Sequence, residues 1–169
     1  MSYARGFPPV ANKNARILIL GSIPGQKSME QHQYYAHPAN AFWKITGRLF
    51  GFDPEETYSR RQAALKKNRV ALWDVVKTCR RPGSLDSAID HKSIVFNNFS
   101  KFFKDHPQLR AVFFNGQKAE QLFRRNIFKD IKPEQPLDFY LLPSTSPANA
   151  GTRPEEKFKR WRIILVCLK

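Results

Sequence analysis

The chain has 169 residues, 41% hydrophobic and 13% aromatic, which is enough for one packed core and argues against several, so a single domain over residues 1–169 is expected. Lys and Arg outnumber Asp and Glu by 29 to 14, and this net charge of +15 favours a polyanionic partner, with nucleic acid ahead of a membrane surface. No stretch approaches the roughly 18 apolar residues of a membrane span, the N-terminus has no apolar signal region, and Cys79 and Cys167 lie far apart without metal-ligand spacing. These features argue against a membrane protein, a disulfide framework and a zinc site, and a soluble, intracellular protein in a reducing compartment is expected. Charge alone does not separate a nucleic-acid binder from a basic protein with solvated Lys and Arg faces.

The first apolar run, Ile17-Leu18-Ile19-Leu20, reads as a buried strand that empties into Gly21-Ser22-Ile23-Pro24-Gly25. About 20 residues separate it from the amphipathic pattern Phe42, Ile45, Leu49 of a first helix, far more than such connections use. Tyr34, Tyr35 and Phe42 argue that this loop is shaped, because disordered segments lack aromatics. Glu55 to Lys67 suggests a short exposed helix, and Val70 to Val76 a second buried strand. Lys77 to Asp90, with Arg80-Arg81-Pro82-Gly83-Ser84, is a cationic, turn-rich loop. Val95, Phe99, Phe102 and Phe103 place a helix over 93–104. A third strand, Ala111 to Phe114, closes on Asn115-Gly116, and a helix follows from Gln117 to Asn126. Phe139 to Leu142 is the fourth strand and runs into Pro143-Ser144-Thr145-Ser146-Pro147-Ala148-Asn149. Pro154, Glu155 and Glu156 open a last helix with Phe158, Trp161, Leu165 and Leu168 as its buried stripe, while Lys157, Lys159, Arg160 and Arg162 form a solvated face.

Strands alternating with helices imply an α/β fold in which a parallel sheet is covered on both faces. Ligands of such sheets bind outside the carboxyl ends of the strands. That rule gathers the loops after Leu20 and Val76, Asn115-Gly116 and 143–149 on one edge. These loops offer carboxamides, hydroxyls, aromatics and backbone amides, with no paired carboxylates, no Cys/His pair, no metal cluster and no phosphate-binding Gly-Lys-Ser/Thr. Such a set suits a planar polar ring, its phosphates and one positioned water.

Gly21-Ser22-Ile23-Pro24-Gly25, Tyr35-Ala36-His37-Pro38-Ala39-Asn40-Ala41-Phe42-Trp43, Leu72-Trp73-Asp74-Val75-Val76, Asn115-Gly116 and Pro143-Ser144-Thr145-Ser146-Pro147 resemble, in order and over most of the chain, the motifs of the uracil-DNA glycosylase superfamily. The hypoxanthine-DNA (deoxyinosine) glycosylase branch is the nearest match. The resemblance implies a three-layer α/β/α sandwich around a central four-stranded parallel sheet, no cofactor, no metal, and hydrolysis of the N-glycosidic bond of a nucleotide flipped out of damaged double-stranded DNA, with single-stranded DNA left open. It further implies a monomer in the cytoplasm, at the nucleoid if the source is prokaryotic.

The chain departs from two branches. Where the mismatch-specific branch has a water-activating Asn in its first motif this sequence has Ile23, and where the uracil-specific branch has a His in its second motif it has Leu142. The resemblance therefore assigns catalysis to Asn40, whose carbonyl would orient the water. It assigns the extruded base to Ile23, Tyr35 and Asn115, and phosphate contact and the strand-parting wedge to Ser28, Ser144, Thr145 and Ser146. Each has a plainer reading: Asn40 as a helix cap, Asn115-Gly116 as a turn, Tyr35 as core packing, the hydroxyls as turn and cap residues. The alternatives are a uracil- or mismatch-directed enzyme of the same superfamily and a non-catalytic nucleic-acid-binding module.

Overall fold

In the computed structural model, which describes residues 2–169, the chain runs β1 (Tyr3–Arg5), β2 (Ile17–Gly21), α1 (Gln26–Gln31), α2 (Phe42–Phe50), α3 (Tyr58–Lys67), β3 (Val70–Asp74), β4 (Val76–Arg80), β5 (Val95–Phe96), α4 (Phe99–Asp105), β6 (Ala111–Asn115), α5 (Gln117–Asn126), β7 (Asp138–Leu142), α6 (Pro154–Trp161) and α7 (Ile163–Leu168). Four strands form a parallel sheet in the order β3-β2-β6-β7. The chain leaves β2 for β3 on one side and later returns to place β6 on the other, so the order reverses between β2 and β6. A crevice opens beyond the carboxyl ends of the strands at such a reversal.

Both faces of the sheet are covered, as the unbroken apolar runs require. On one face Ile17, Ile19, Leu72 and Phe113 pack with Phe42, Trp43 and Ile45 of α2, Leu65 of α3, Trp161 of α6 and Ile164 of α7. On the other, Leu18, Leu20, Val112 and Phe114 pack with Phe99, Phe102 and Phe103 of α4 and with Ala119, Leu122 and Phe123 of α5. This is the expected α/β/α layering around four parallel strands. No helix among the described residues is long and apolar enough to cross a membrane.

The structure corrects the sequence reading in five places. The second strand ends at Asp74, because Val75 and Val76 turn to donate their N–H groups to the carbonyls of Gly21 and Ser22. The chain then continues as β4, between β1 and β5, in a small antiparallel sheet lying where a loop was expected. Val95 belongs to β5 and is exposed, so the helix begins only at Phe99, capped by the Asn98 side chain. The long loop after β2 contains the short helix α1. Finally, the terminal helix breaks at Arg162 into α6 and α7; Ile164 rather than Leu165 is the fully buried contact, and Lys157 is buried rather than solvated, its Nζ donating to the Ser146 carbonyl at 3.4 Å.

Candidate active site

The loops after β2, β4, β6 and β7, with Asp74 at the end of β3, enclose a cleft of about 670 Å³, in the size range of a site for a small organic ligand. Ile23, Ser28, Tyr35, Asn40, Asn115, Ser144, Thr145 and Ser146 all line it, so the structure brings together every site residue that the sequence reading named. It also shows what each side chain is already committed to.

Asn40 stands two residues before α2, and its Oδ1 accepts the Phe42 N–H at 3.0 Å. The N-cap position is Ala41, without a side-chain cap, and the Asn40 contact is a turn that satisfies the first N–H of α2 and uses one of the two lone pairs of that oxygen. The adjoining Ala41 N–H donates to the Thr145 carbonyl at 3.0 Å, tying the start of α2 to the loop after β7. Tyr35 takes a left-handed backbone conformation, φ 54°, and one face of its ring stacks on Phe42 with centroids 4.2 Å apart. Its hydroxyl is buried and closes no hydrogen bond of good geometry, and burial, only partly offset by the Asn115 side chain, pushes its pKa well above the ordinary tyrosine range.

Asn115 is held at both ends by Thr145: its Nδ2 donates to Thr145 Oγ1 at 2.9 Å and its Oδ1 accepts the Thr145 N–H at 2.9 Å. Thr145 is only 1% exposed. Its hydroxyl is thus a brace between the β6 and β7 loops and does not lie on the surface where a phosphate would meet it. Ser28, 5% exposed, is similar, since its Oγ accepts the Ala36 N–H at 3.1 Å and secures the long loop from within. Ser144 and Ser146 are half-buried and close successive turns by accepting the N–H groups of Ser146 and Ala148, which leaves Pro147 and Ala148 as the exposed tip. Ile23 is buried against the Leu18–Phe114 face of the sheet.

Three groups escaped the sequence reading. Asp74, the last residue of β3, is 3% exposed and lines the cleft, and its Oδ2 has no hydrogen-bond partner. Burial first, and then the neighbouring Asp86 carboxylate, raise its pKa to about 7, against a lesser pull from Arg81. Asp86 lines the same cleft, accepts the Ser22 hydroxyl at 2.7 Å, and is itself raised, chiefly by burial. The cleft therefore holds two carboxyl groups that influence one another electrostatically, contrary to the expectation of loops without paired carboxylates. Arg81, which the sequence placed in a cationic, turn-rich loop, is 2% exposed and donates from Nε to the Gly83 carbonyl and from Nη2 to the Pro24 carbonyl, clamping the two loops together. The sequence signal for Asp74 was an acid interrupting an otherwise apolar strand at its carboxyl end.

Gly21 makes this packing possible. A methyl group on its Cα would lie 2.5 Å from Asp74 Oδ1 and 2.9 Å from Tyr35 Oη, inside van der Waals contact with both. The glycine at the end of β2 thus leaves room for both the Asp74 carboxyl and the Tyr35 phenol at the bottom of the cleft.

A cleft of this construction at the sheet's switch point agrees with the comparisons. The model of the uracil DNA glycosylase superfamily matches residues 8–165. A protein of Methanosarcina barkeri named hypoxanthine DNA glycosylase is 46% identical over 154 residues, covering 90% of this chain and 92% of that protein. One of the same name from Methanosarcina acetivorans is 39% identical over 146 residues, covering 86% and 87%. The solution NMR structure of a candidate uracil DNA glycosylase from Methanosarcina acetivorans, 37% identical, superposes with a TM-score of 0.75 over 97% of this chain and 99% of that one. The chain belongs to the uracil DNA glycosylase superfamily.

Proposed function

We propose that this protein is a monofunctional DNA glycosylase of base excision repair that removes hypoxanthine from deoxyinosine and leaves an abasic site. The observation that carries the reading is the similarity along nearly the whole chain to two proteins named hypoxanthine DNA glycosylase. The cleft supports it chemically. Loss of a purine leaves an oxocarbenium-like sugar, which calls for a held base, a ready water and favourable electrostatics more than for a strong base. Asn40, with one Oδ1 lone pair unused by the Phe42 N–H, orients that water. Asn115, fixed by Thr145, meets the edge of the extruded base with its remaining Nδ2 hydrogen, while Ile23 and Tyr35 pack against its ring.

The +15 charge grips the phosphates of damaged duplex DNA. Phosphate contact and the wedge fall to the turn carrying Ser144 and Ser146 and to its exposed tip at Pro147-Ala148. The protein acts as a monomer in the cytoplasm. The test is incubation of the purified protein with end-labelled duplexes carrying hypoxanthine, uracil, xanthine or ethenoadenine, followed by alkaline cleavage at abasic sites. Hypoxanthine should be excised fastest. Preference for uracil would make it a uracil-directed member of the superfamily, and tight binding with no abasic product from any lesion would make it a non-catalytic binding module.

A further inference from the structure

Asp74 has no part in the water-positioning scheme, yet it is the only side chain in the cleft that combines near-complete burial, a carboxyl oxygen without any partner and a place on the cleft wall among the described residues. An ionised carboxylate buried with one oxygen unpartnered would be costly, and the pull of Arg81 is smaller than the cost of burial. The groups that bear on it are Asp86 from the loop after β4, Arg81 at the end of β4, and the hydroxyls of Tyr34 and Tyr35 from the long loop and of Tyr58 from α3. Arg81, the one cation among them, points its Nη2 at the Pro24 carbonyl and its Nε at the Gly83 carbonyl, and no Arg81 hydrogen bond reaches Asp74. The Asp86 carboxylate, spoken for by the Ser22 hydroxyl, further disfavours a second negative charge nearby. Gly21 admits Asp74 Oδ1 to the end of β2, at the strand reversal where the ligand of such a sheet binds.

We infer that Asp74 is the proton donor of the excision reaction, a neutral carboxylic acid that passes its proton to N7 of the extruded purine as the base departs. The inference rests on the glycosylase reading above. In the step, the electron pair of the C1′–N9 bond moves into the purine ring while the O–H bond of Asp74 breaks and an N7–H bond forms, so that hypoxanthine leaves as a neutral molecule. Water then adds to the sugar cation at C1′, and the proton it sheds restores the Asp74 carboxylic acid. Nothing else is consumed. The raised pKa supports this role, because the group keeps its proton up to neutral pH and can release it there.

The test uses the full-length protein in single-turnover excision from deoxyinosine duplex between pH 5.5 and 9, with Asp74→Asn beside it. The wild-type rate should be flat at low pH and fall about tenfold per unit above about pH 7, and Asp74→Asn should be slower by roughly 10²-fold with no alkaline limb. A second substrate, the duplex carrying 7-deaza-2′-deoxyinosine, lacks the accepting nitrogen. Wild-type excision of it should drop to the level of the variant, and the variant should lose nothing further. This arm and the wild-type pH profile decide the matter even if Asp74→Asn fails to fold. A variant with wild-type rate and profile, a wild-type rate that rises through neutral pH, or unimpaired excision of the deaza base would each overturn the assignment while leaving the glycosylase reading intact. Absence of any excision by the wild-type protein would overturn both.

Discussion

The buried acid has a consequence for stability that needs no substrate. In the unfolded chain Asp74 ionises near its ordinary 3.8, whereas in the folded protein it holds its proton to about pH 7. Below the lower value both states are protonated and the group is neutral in its effect. As pH rises from there, the unfolded state gains stability by releasing the proton while the folded state does not, so native stability declines until the folded group itself ionises. That interval corresponds to about 2–4 kcal/mol. Asp74→Asn keeps the shape and removes the titration. Urea denaturation at a series of pH values should therefore show the variant gaining on the wild type from about pH 4 to about pH 7 and holding its advantage above. Asp86, which burial also raises, titrates in both proteins and largely cancels in the difference. Parallel stability curves for the two proteins would refute the idea that Asp74 is buried in its neutral form.

Three further outcomes follow from the cleft. Asn40→Ala should lose about 0.5–2 kcal/mol of stability with its bond to the Phe42 N–H and fall by about 10²-fold in single-turnover excision while lesion binding persists; a normal rate per folded molecule would leave Asn40 as a turn residue alone. Asn115→Ala strands the Thr145 N–H and hydroxyl in a buried position, so thermal or urea melts should register a loss of about 1–3 kcal/mol, and excision of hypoxanthine and uracil should suffer unequally, whereas a uniform small effect would return it to the role of a turn residue. DNA affinity, measured by anisotropy, should weaken steeply between low and physiological salt through counterion release, and an affinity indifferent to salt would count against the DNA reading.

The parallel sheet was legible because its strands are apolar runs: Ile17 to Leu20 and Ala111 to Phe114 need no context to be read as buried, Phe139 to Leu142 reads alike although at the sheet edge only Leu142 is fully buried, and the spacing of Phe42, Ile45 and Leu49 is helical wherever it lies. The strand-end rule then located the cleft, and the motif order pointed to its residues. The small antiparallel sheet was not legible. Tyr3–Arg5 and Val95–Phe96 are too short to carry a period, and β4, buried at Val76 and Cys79 three residues apart and irregular in register between Val76 and Thr78, shows no clean alternation either. Chemistry was hidden for a different reason. Residue type says what a side chain can do, but burial and partners decide what it does. The resemblance made Thr145 and Ser28 hydroxyls for phosphate, while Arg81 read as part of a cationic loop and Asp74 as one residue of a strand. Long-range packing turned the first three into braces, through contacts such as the one between Asn115 and Thr145, 30 residues apart in the chain, and it left the fourth as an unpaired acid, because Gly21 has no side chain to keep it away from the end of β2.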